Sequence, residues 1–294
     1  MSLPQGIQSI SMGRRIKDQI VRALVYLAFA IAVVPLVSVV WLVIANGIQR
    51  FDIEFLTHSM RNIGARDAGG GAYHAILGTL EQVGLATVIS VPIGLLTAIY
   101  LVEYAQGGRL SRAISFFVDV MTGIPSVVAG LFVLAFWVLV LGMGFSGFAG
   151  AIALSILMLP TVVRSTEEML RIVPGELREA AYALGVPKWR TILRVVIPTA
   201  FTGIVTGIML AIARVAGETA PLLLTVFFTD SINSDPFSGP QMGLPLYVFD
   251  QAGRPTDTAI ARAWTGALTL ILIVMLLNLA ARLIARWRAP AGNR

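Results

Sequence analysis

From Ala23 to Ala45 the chain carries no charged residue. That run constrains the fold more than any motif, because a helix of ~20 apolar residues crosses a bilayer, whereas the core of a secretory signal is only about 7–15 residues long. It follows Arg14, Arg15, Lys17 and Arg22, which predict a cytoplasmic anchor; Arg14-Arg15 lacks the rest of a twin-arginine signal. Further apolar spans are expected at roughly His74–Leu101, within Ala113–Leu141, and at Phe148–Val163, Thr199–Phe228 and Ala259–Ile284. Composition agrees: 56% of the residues are hydrophobic and 13% charged, and a soluble domain carries about twice that charged fraction. The predicted fold class is an all-α integral membrane protein with six transmembrane helices. The chain has no cysteine, hence no disulfide framework or thiolate metal site, and two histidines, His58 and His74, are too few for a His-rich metal centre.

The basic residues orient the spans. Sixteen of the 22, from Arg14 and Arg15 through Arg178, Lys188, Arg190 and Arg194 to Arg282, Arg286, Arg288 and Arg294, flank one set of ends, against Arg50, Arg61, Arg66, Arg254 and Arg262 on the other. The positive-inside rule then places both termini in the cytoplasm, with Asn46–Tyr73 and Thr229–Thr258 outside. Within the second outside loop, Leu244–Phe249 is apolar enough to lie against the membrane or fold back into it. The net charge of +6 belongs to this flanking pattern and speaks for lipid rather than nucleic acid. Residues 1–73 are expected to hold a cytoplasmic segment, the first helix and an outside loop; 74–285 a core of five helices; and 286–294 a basic tail.

The longest polar interruption on the basic side is 174–198, PGELREAAYALGVPKWRTILRVVIP. Pro174 and Gly175 end what precedes them. Glu176 and Glu179 favour the first turns of a helix, where acid meets the positive dipole end. Leu177, Ala180, Ala181 and Leu184 form an apolar stripe at helical spacing. Gly185 is placed to cap that helix, and Pro187 to open another. Paired alanines leave a smooth surface that a protein groove can approach closely, unlike the bulky residues of a helix resting on lipid.

One basic residue falls inside a span. Arg214 is ~24 Å along the fifth helix from Pro198, at 1.5 Å per residue, near the middle of the bilayer. A central arginine costs ~2.5–3.5 kcal/mol or more and needs a partner or a polar cavity. Glu218, four residues on, is expected to share its helix face, and Pro221 to loosen the stretch that also holds Thr219. A guanidinium fork suits a tetrahedral oxyanion, to which it donates parallel hydrogen bonds. At Gly123-Ile124-Pro125-Ser126 a proline is placed either to kink the third helix or to break it, so that a half-helix presents its N–H groups to an anion.

Glu179-Ala180-Ala181, Gly185 and the closing Val195-Val196-Ile197-Pro198 resemble the EAA loop of permease subunits in ATP-binding-cassette importers; the wider pattern has isoleucine and leucine at 195 and 197. ALGVPKWRTI, ARVAGETAPLL, GIPSVVAGLF at Gly123–Phe132 and the stretch Pro160–Glu167 resemble, more narrowly, the PstA-type permeases of bacterial phosphate importers, from roughly Gly70 onward. The resemblance implies a type I importer in the bacterial inner membrane. In it, this chain and a PstC-like permease form the pathway for inorganic phosphate, a PstB-like ATPase dimer docks on Glu179, Ala180, Ala181, Gly185 and Pro198, and a PstS-like external protein delivers substrate. The chain itself would bind no cofactor. Its two lysines, Lys17 and Lys188, lie in no phosphate-binding loop, so ATP and Mg belong to the partner. The family also carries over Arg164, as a second pathway arginine or an ordinary basic anchor.

Other readings are a sulfate or molybdate permease, a passive anion channel, and a membrane-embedded lipid-phosphate enzyme. The Arg214–Glu218 pair argues against the first, since a carboxylate can accept from a protonated phosphate and only repels sulfate. A channel has no use for a docking helix. The enzyme would need a base with a partner, and neither histidine has an evident acidic one.

Overall fold

The computed structural model describes residues 12–105 and 107–288, the last five as backbone only. The basic tail expected at 286–294 lies outside them, apart from the helix backbone that reaches 288. Among the described residues regular structure is entirely helical: α1 (Met12–Gly47), α2 (Ile53–Thr57), α3 (Tyr73–Ile99), α4 (Arg109–Thr122), α5 (Ser126–Val133), α6 (Gly147–Ile172), α7 (Gly175–Ala183), α8 (Lys188–Thr191), α9 (Ile197–Ala216), α10 (Ala220–Thr225), α11 (Leu244–Ala252) and α12 (Asp257–Arg288). Five helices are long and apolar enough to cross a membrane, and the bent pair α4–α5 makes a sixth crossing if counted as one span. The chain divides into two compact units, 1–46 and 47–294. The described residues of the first belong to α1, one apolar helix with Pro35 in its interior.

In the second unit α6 is the hub, packing along α3 and α9 and also against α5, α10 and α4. Small residues permit this closeness, as membrane helices require where apolar packing alone brings them together. A Cβ on Gly94 of α3 would stand 2.7 Å from Val162 Cγ1, and one on Gly203 of α9 2.2 Å from Met169 Sδ. Ser146 caps α6 by accepting a hydrogen bond from the Ala149 amide. The helix then continues past Val163 to Ile172, carrying Arg164, Glu167 and Arg171 on a rigid rod.

Of the two outcomes expected at Pro125, the break is the one formed: α4 and α5 meet at 104° across Gly123–Pro125. Three other expectations change. The fifth span begins at Lys188 instead of Thr199, because a π-helical turn at Ile192–Val196 joins α8 to α9. In that turn the Ile197 amide donates five residues back to Ile192, so Pro198 follows, without a donor, inside a helix that absorbs its defect. The fifth span also ends at Ala216, well before Phe228, and Pro221 sits in the first turn of the separate helix α10. The apolar stretch Leu244–Phe249 is the start of α11, and Leu244, Leu246 and Tyr247 are fully buried in the main core instead of lying on lipid.

Candidate functional site

The interrupted fifth span forms the first part of the site. Arg214 occupies the last turn of α9, where its charge favours the negative dipole end. The Gly217 amide donates to the Arg214 carbonyl and the Glu218 amide to that of Val215, closing the helix before Thr219 begins the next. The expected Arg214–Glu218 pair is therefore not made. The helix that would place them on one face stops between them, and among the described residues no ion pair joins them. Arg214 is exposed, while Glu218 and Thr219 are half-buried.

Depth follows from packing. Gly203 lies against Met169 and Gly207 against Ser165, so α9 runs antiparallel to α6. Continued two turns, that register brings Arg214 level with about Met158, in the middle of α6. The exposed face of α9 that ends in Arg214 also carries Thr199, Thr202 and Thr206.

The second break comes to the first. Gly130 of α5 packs on α10 so closely that a Cβ there would be 2.7 Å from Pro221 Cα. The stretches Gly123–Phe132 and Ala213–Leu223 thus meet, although ninety residues separate them in the sequence. The N-terminus of α5 starts at Ser126, half-buried, behind an exposed Pro125 that supplies no side-chain cap. The half-helix expected from Pro125 is formed.

Arg164 has partners. Its guanidinium donates to Glu167 and Asp119 at 2.5 Å each and to the Ser115 carbonyl at 3.1 Å. Asp119 and Ser115 are on α4, so this fork ties the first half of the broken span to α6. No local sequence pattern links positions 119 and 164, so this contact could not be read before the structure. Glu81 accepts from Gln241 in the segment leading to α11.

The second part of the site is 174–198. Glu176 lies in the first turn of α7. The helix closes as predicted: Gly185 has φ +77°, its amide donates to Tyr182 and the Val186 amide donates to Ala181. Ala181 is buried, whereas Glu179, Ala180 and Leu177 are exposed and Leu184 is 84% exposed. The apolar stripe therefore points mostly away from the rest of the chain. Facing inward is Arg178, which bonds Glu103 and the carbonyls of Leu170 and Val173.

At the far end, His74 is buried edge-on to Tyr247 at a centroid distance of 5.6 Å, and His58 contacts Thr57. Burial pushes the Tyr247 phenol above its ordinary range, and burial likewise raises the Asp230 carboxyl, against the opposing pull of Arg254.

These features, five apolar crossings with a bent pair that supplies a sixth, two interrupted spans and an exposed two-helix loop among basic residues, define a membrane transport subunit. The chain belongs to the family of binding-protein-dependent transport system inner membrane components, which matches residues 90–291. Within it, the chain is similar to the phosphate transport system permease protein PstA 1 of Mycobacterium tuberculosis strain H37Rv, at 50% identity over 284 residues, 96% of this chain and 91% of that protein. It is similar also to PstA of Pasteurella multocida strain Pm70, at 37% over 270 residues, 92% and 95% of the two. Among solved structures it resembles the inward-facing MetNI methionine ABC transporter (TM-score 0.58, 21% identity, 75% of this chain and 95% of that one). It also resembles a bacterial ABC transporter that imports the acidic polysaccharide alginate (TM-score 0.61, 15% identity, 93% and 98%). The fold is that of a type I ABC-importer permease.

Proposed function

We propose that the chain is a permease subunit of an ATP-driven importer of inorganic phosphate. The observation that carries this is Arg214: a guanidinium level with the middle of α6, exposed on the face of α9 that also carries Thr199, Thr202, Thr206 and Leu210, in a chain half identical to a PstA permease. A charge at that depth faces a cavity or a partner, not lipid. The exposed face is completed by a second permease, and the pathway runs between the two. Arg214 supplies a bidentate fork to the anion. Thr219, Glu218 and the half-helix N-terminus at Pro125 and Ser126 lie on the two interrupted segments that α10 and Gly130 hold together. Because Glu218 is not spent on Arg214, its carboxylate is available to accept from a protonated phosphate oxygen. Arg164, held by Asp119 and Glu167, acts as a tie between α4 and α6 that releases its fork only when those helices part.

The loop 174–198 faces the cytoplasm with both termini, because most of the basic residues flank that side. It docks an ATPase dimer through Glu179, Ala180, Ala181 and the turn at Gly185, leading into the helix that carries Pro198. ATP and Mg bind the ATPase, and an external phosphate-binding protein delivers substrate. The test is transport by the complete complex in proteoliposomes. Arg214→Gln should assemble with its partners and hydrolyse ATP, yet move phosphate at least tenfold more slowly, about the loss of one charge-assisted bidentate contact. Lys should restore only part. Unchanged flux in Arg214→Gln refutes the assignment, and failure to assemble makes Arg214 a packing residue.

A further inference from the structure

The inner end of α3 is gripped by the loop from both sides. After Ile99 the helix widens into a π-helical turn, Tyr100–Tyr104. Glu103 in that turn is buried, its side chain 4% exposed, and it accepts two hydrogen bonds from Arg178 of α7, from Nη2 at 2.7 Å and Nε at 3.1 Å. The same guanidinium donates to the carbonyls of Leu170 and Val173, at 3.0 and 2.7 Å, and so caps the end of α6. The next residue, Tyr104, lies under Lys188 of α8, whose ammonium is 5.0 Å from the ring centroid. Both short helices of the loop therefore attach to consecutive residues of the second span.

The two spans depend on this attachment differently. The fourth span is covalently joined to α7 through Val173 and Pro174, so it follows any movement of the loop. The second has no such link. It follows through non-covalent contact, by its packing on α6 and by its contacts with the loop, and its ion-paired contact with α7 is Arg178–Glu103. A buried ion pair resists separation, because parting it leaves a charge without a partner in a poorly solvated place. Glu179 and Leu184 project the other way, so one side of α7 is free for a partner while Arg178 holds the chain.

We propose that Glu103 is a positioning residue for energy coupling: movement imposed on α7 enters the second span through Arg178–Glu103, and the second and fourth spans then move as one body. This rests on the reading of 174–198 as the ATPase docking element. The experiment uses the whole complex in proteoliposomes and measures phosphate transported per ATP hydrolysed, together with recovery of the ATPase on the permease. Glu103→Gln and Arg178→Gln should retain the ATPase and its hydrolysis, while phosphate per ATP falls about fivefold or more, the scale of a typical coupling term. The reversed pair Glu103→Arg with Arg178→Glu should recover a large part of that ratio. An unchanged ratio in both single variants overturns the proposal. So does a reversed pair no better than the singles, which would leave Arg178 as a cap on α6, and so does loss of the ATPase from the singles, which would make the pair a support for the loop's shape. If the unaltered chain fails to retain the ATPase, it is the docking reading that fails, and Glu103 fails with it.

Discussion

Arg262 is the largest fully buried side chain among the described residues, and its charge is met by dipoles. Its guanidinium donates to Gln251 Oε1 and to the carbonyls of Gly64, Ala65, Asp67 and Gly69. It thereby ties α12 to α11 and to the loop before α3. Arg262→Met would keep much of the stem and leave those acceptors without a donor. Each buried unsatisfied acceptor costs ~1–3 kcal/mol, so the loss should be about 3 kcal/mol or more. Thermal unfolding in detergent checks this: Met should lower the midpoint clearly, and Lys, with three donors and no fork, should fall between. Sequence reasoning counted Arg262 only among the basic residues at the outer span ends and gave it no partner. Its carbonyl acceptors lie almost two hundred residues away, where no local pattern reaches. Arg214 was legible for the opposite reason, since a lone charge in an apolar run announces itself. Its supposed mate Glu218 was misplaced because Pro221 opens a helix here instead of loosening one.

At the scale of elements, α7 is the piece most fully written in the local sequence. Its acidic first turn, its end at Ala183 and the left-handed Gly185 all follow from short-range chemistry. Gly185 has open space around it, so a substitution there is limited by backbone conformation and not by a clash inside the chain. Asn visits the left-handed region tolerably, whereas a β-branched or bulky residue does so at a cost of roughly 1–2 kcal/mol. Gly185→Asn should therefore keep ATPase retention and transport near normal. Gly185→Trp should still insert but lose both severalfold, from the strained turn and from bulk on the docking side. Normal transport by Gly185→Trp would remove α7 from the docking surface. The broken third span was half legible. Pro125 marked the place, but only the packing of Gly130 on Pro221 shows that this break belongs with the one after Arg214. The early start of the fifth span was hidden because Lys188, Arg190 and Arg194 give its first turns the look of a loop, whereas a π-helical turn at Ile192–Val196 joins them to the rest of the helix.

At the scale of the whole molecule, orientation decides whether the two parts of the site can serve one function. Arg214 is useful to an importer only if the interrupted spans open toward the delivered substrate and the loop 174–198 faces the ATP-containing side. The distribution of basic residues argues for this, and the absence of cysteine makes it directly measurable. Single cysteines at Ser234, exposed in the segment before α11, and at Arg109, exposed at the start of α4, lie at opposite ends of the bundle. In intact cells an impermeant maleimide should label Ser234→Cys and leave Arg109→Cys untouched. Permeabilising the cells should then bring Arg109→Cys to the same extent of labelling, showing that access and not reactivity had protected it. Arg109 is one of the basic residues that set the orientation, so Leu184→Cys, 84% exposed beyond α7, provides a second site on that side without altering the charge balance. Leu184→Cys should behave like Arg109→Cys when the ATPase is absent. Labelling of Ser234→Cys and Leu184→Cys from the same side would contradict the six-crossing arrangement. Labelling of Leu184→Cys from outside with Ser234→Cys protected would invert it, and the loop would then face away from any source of ATP.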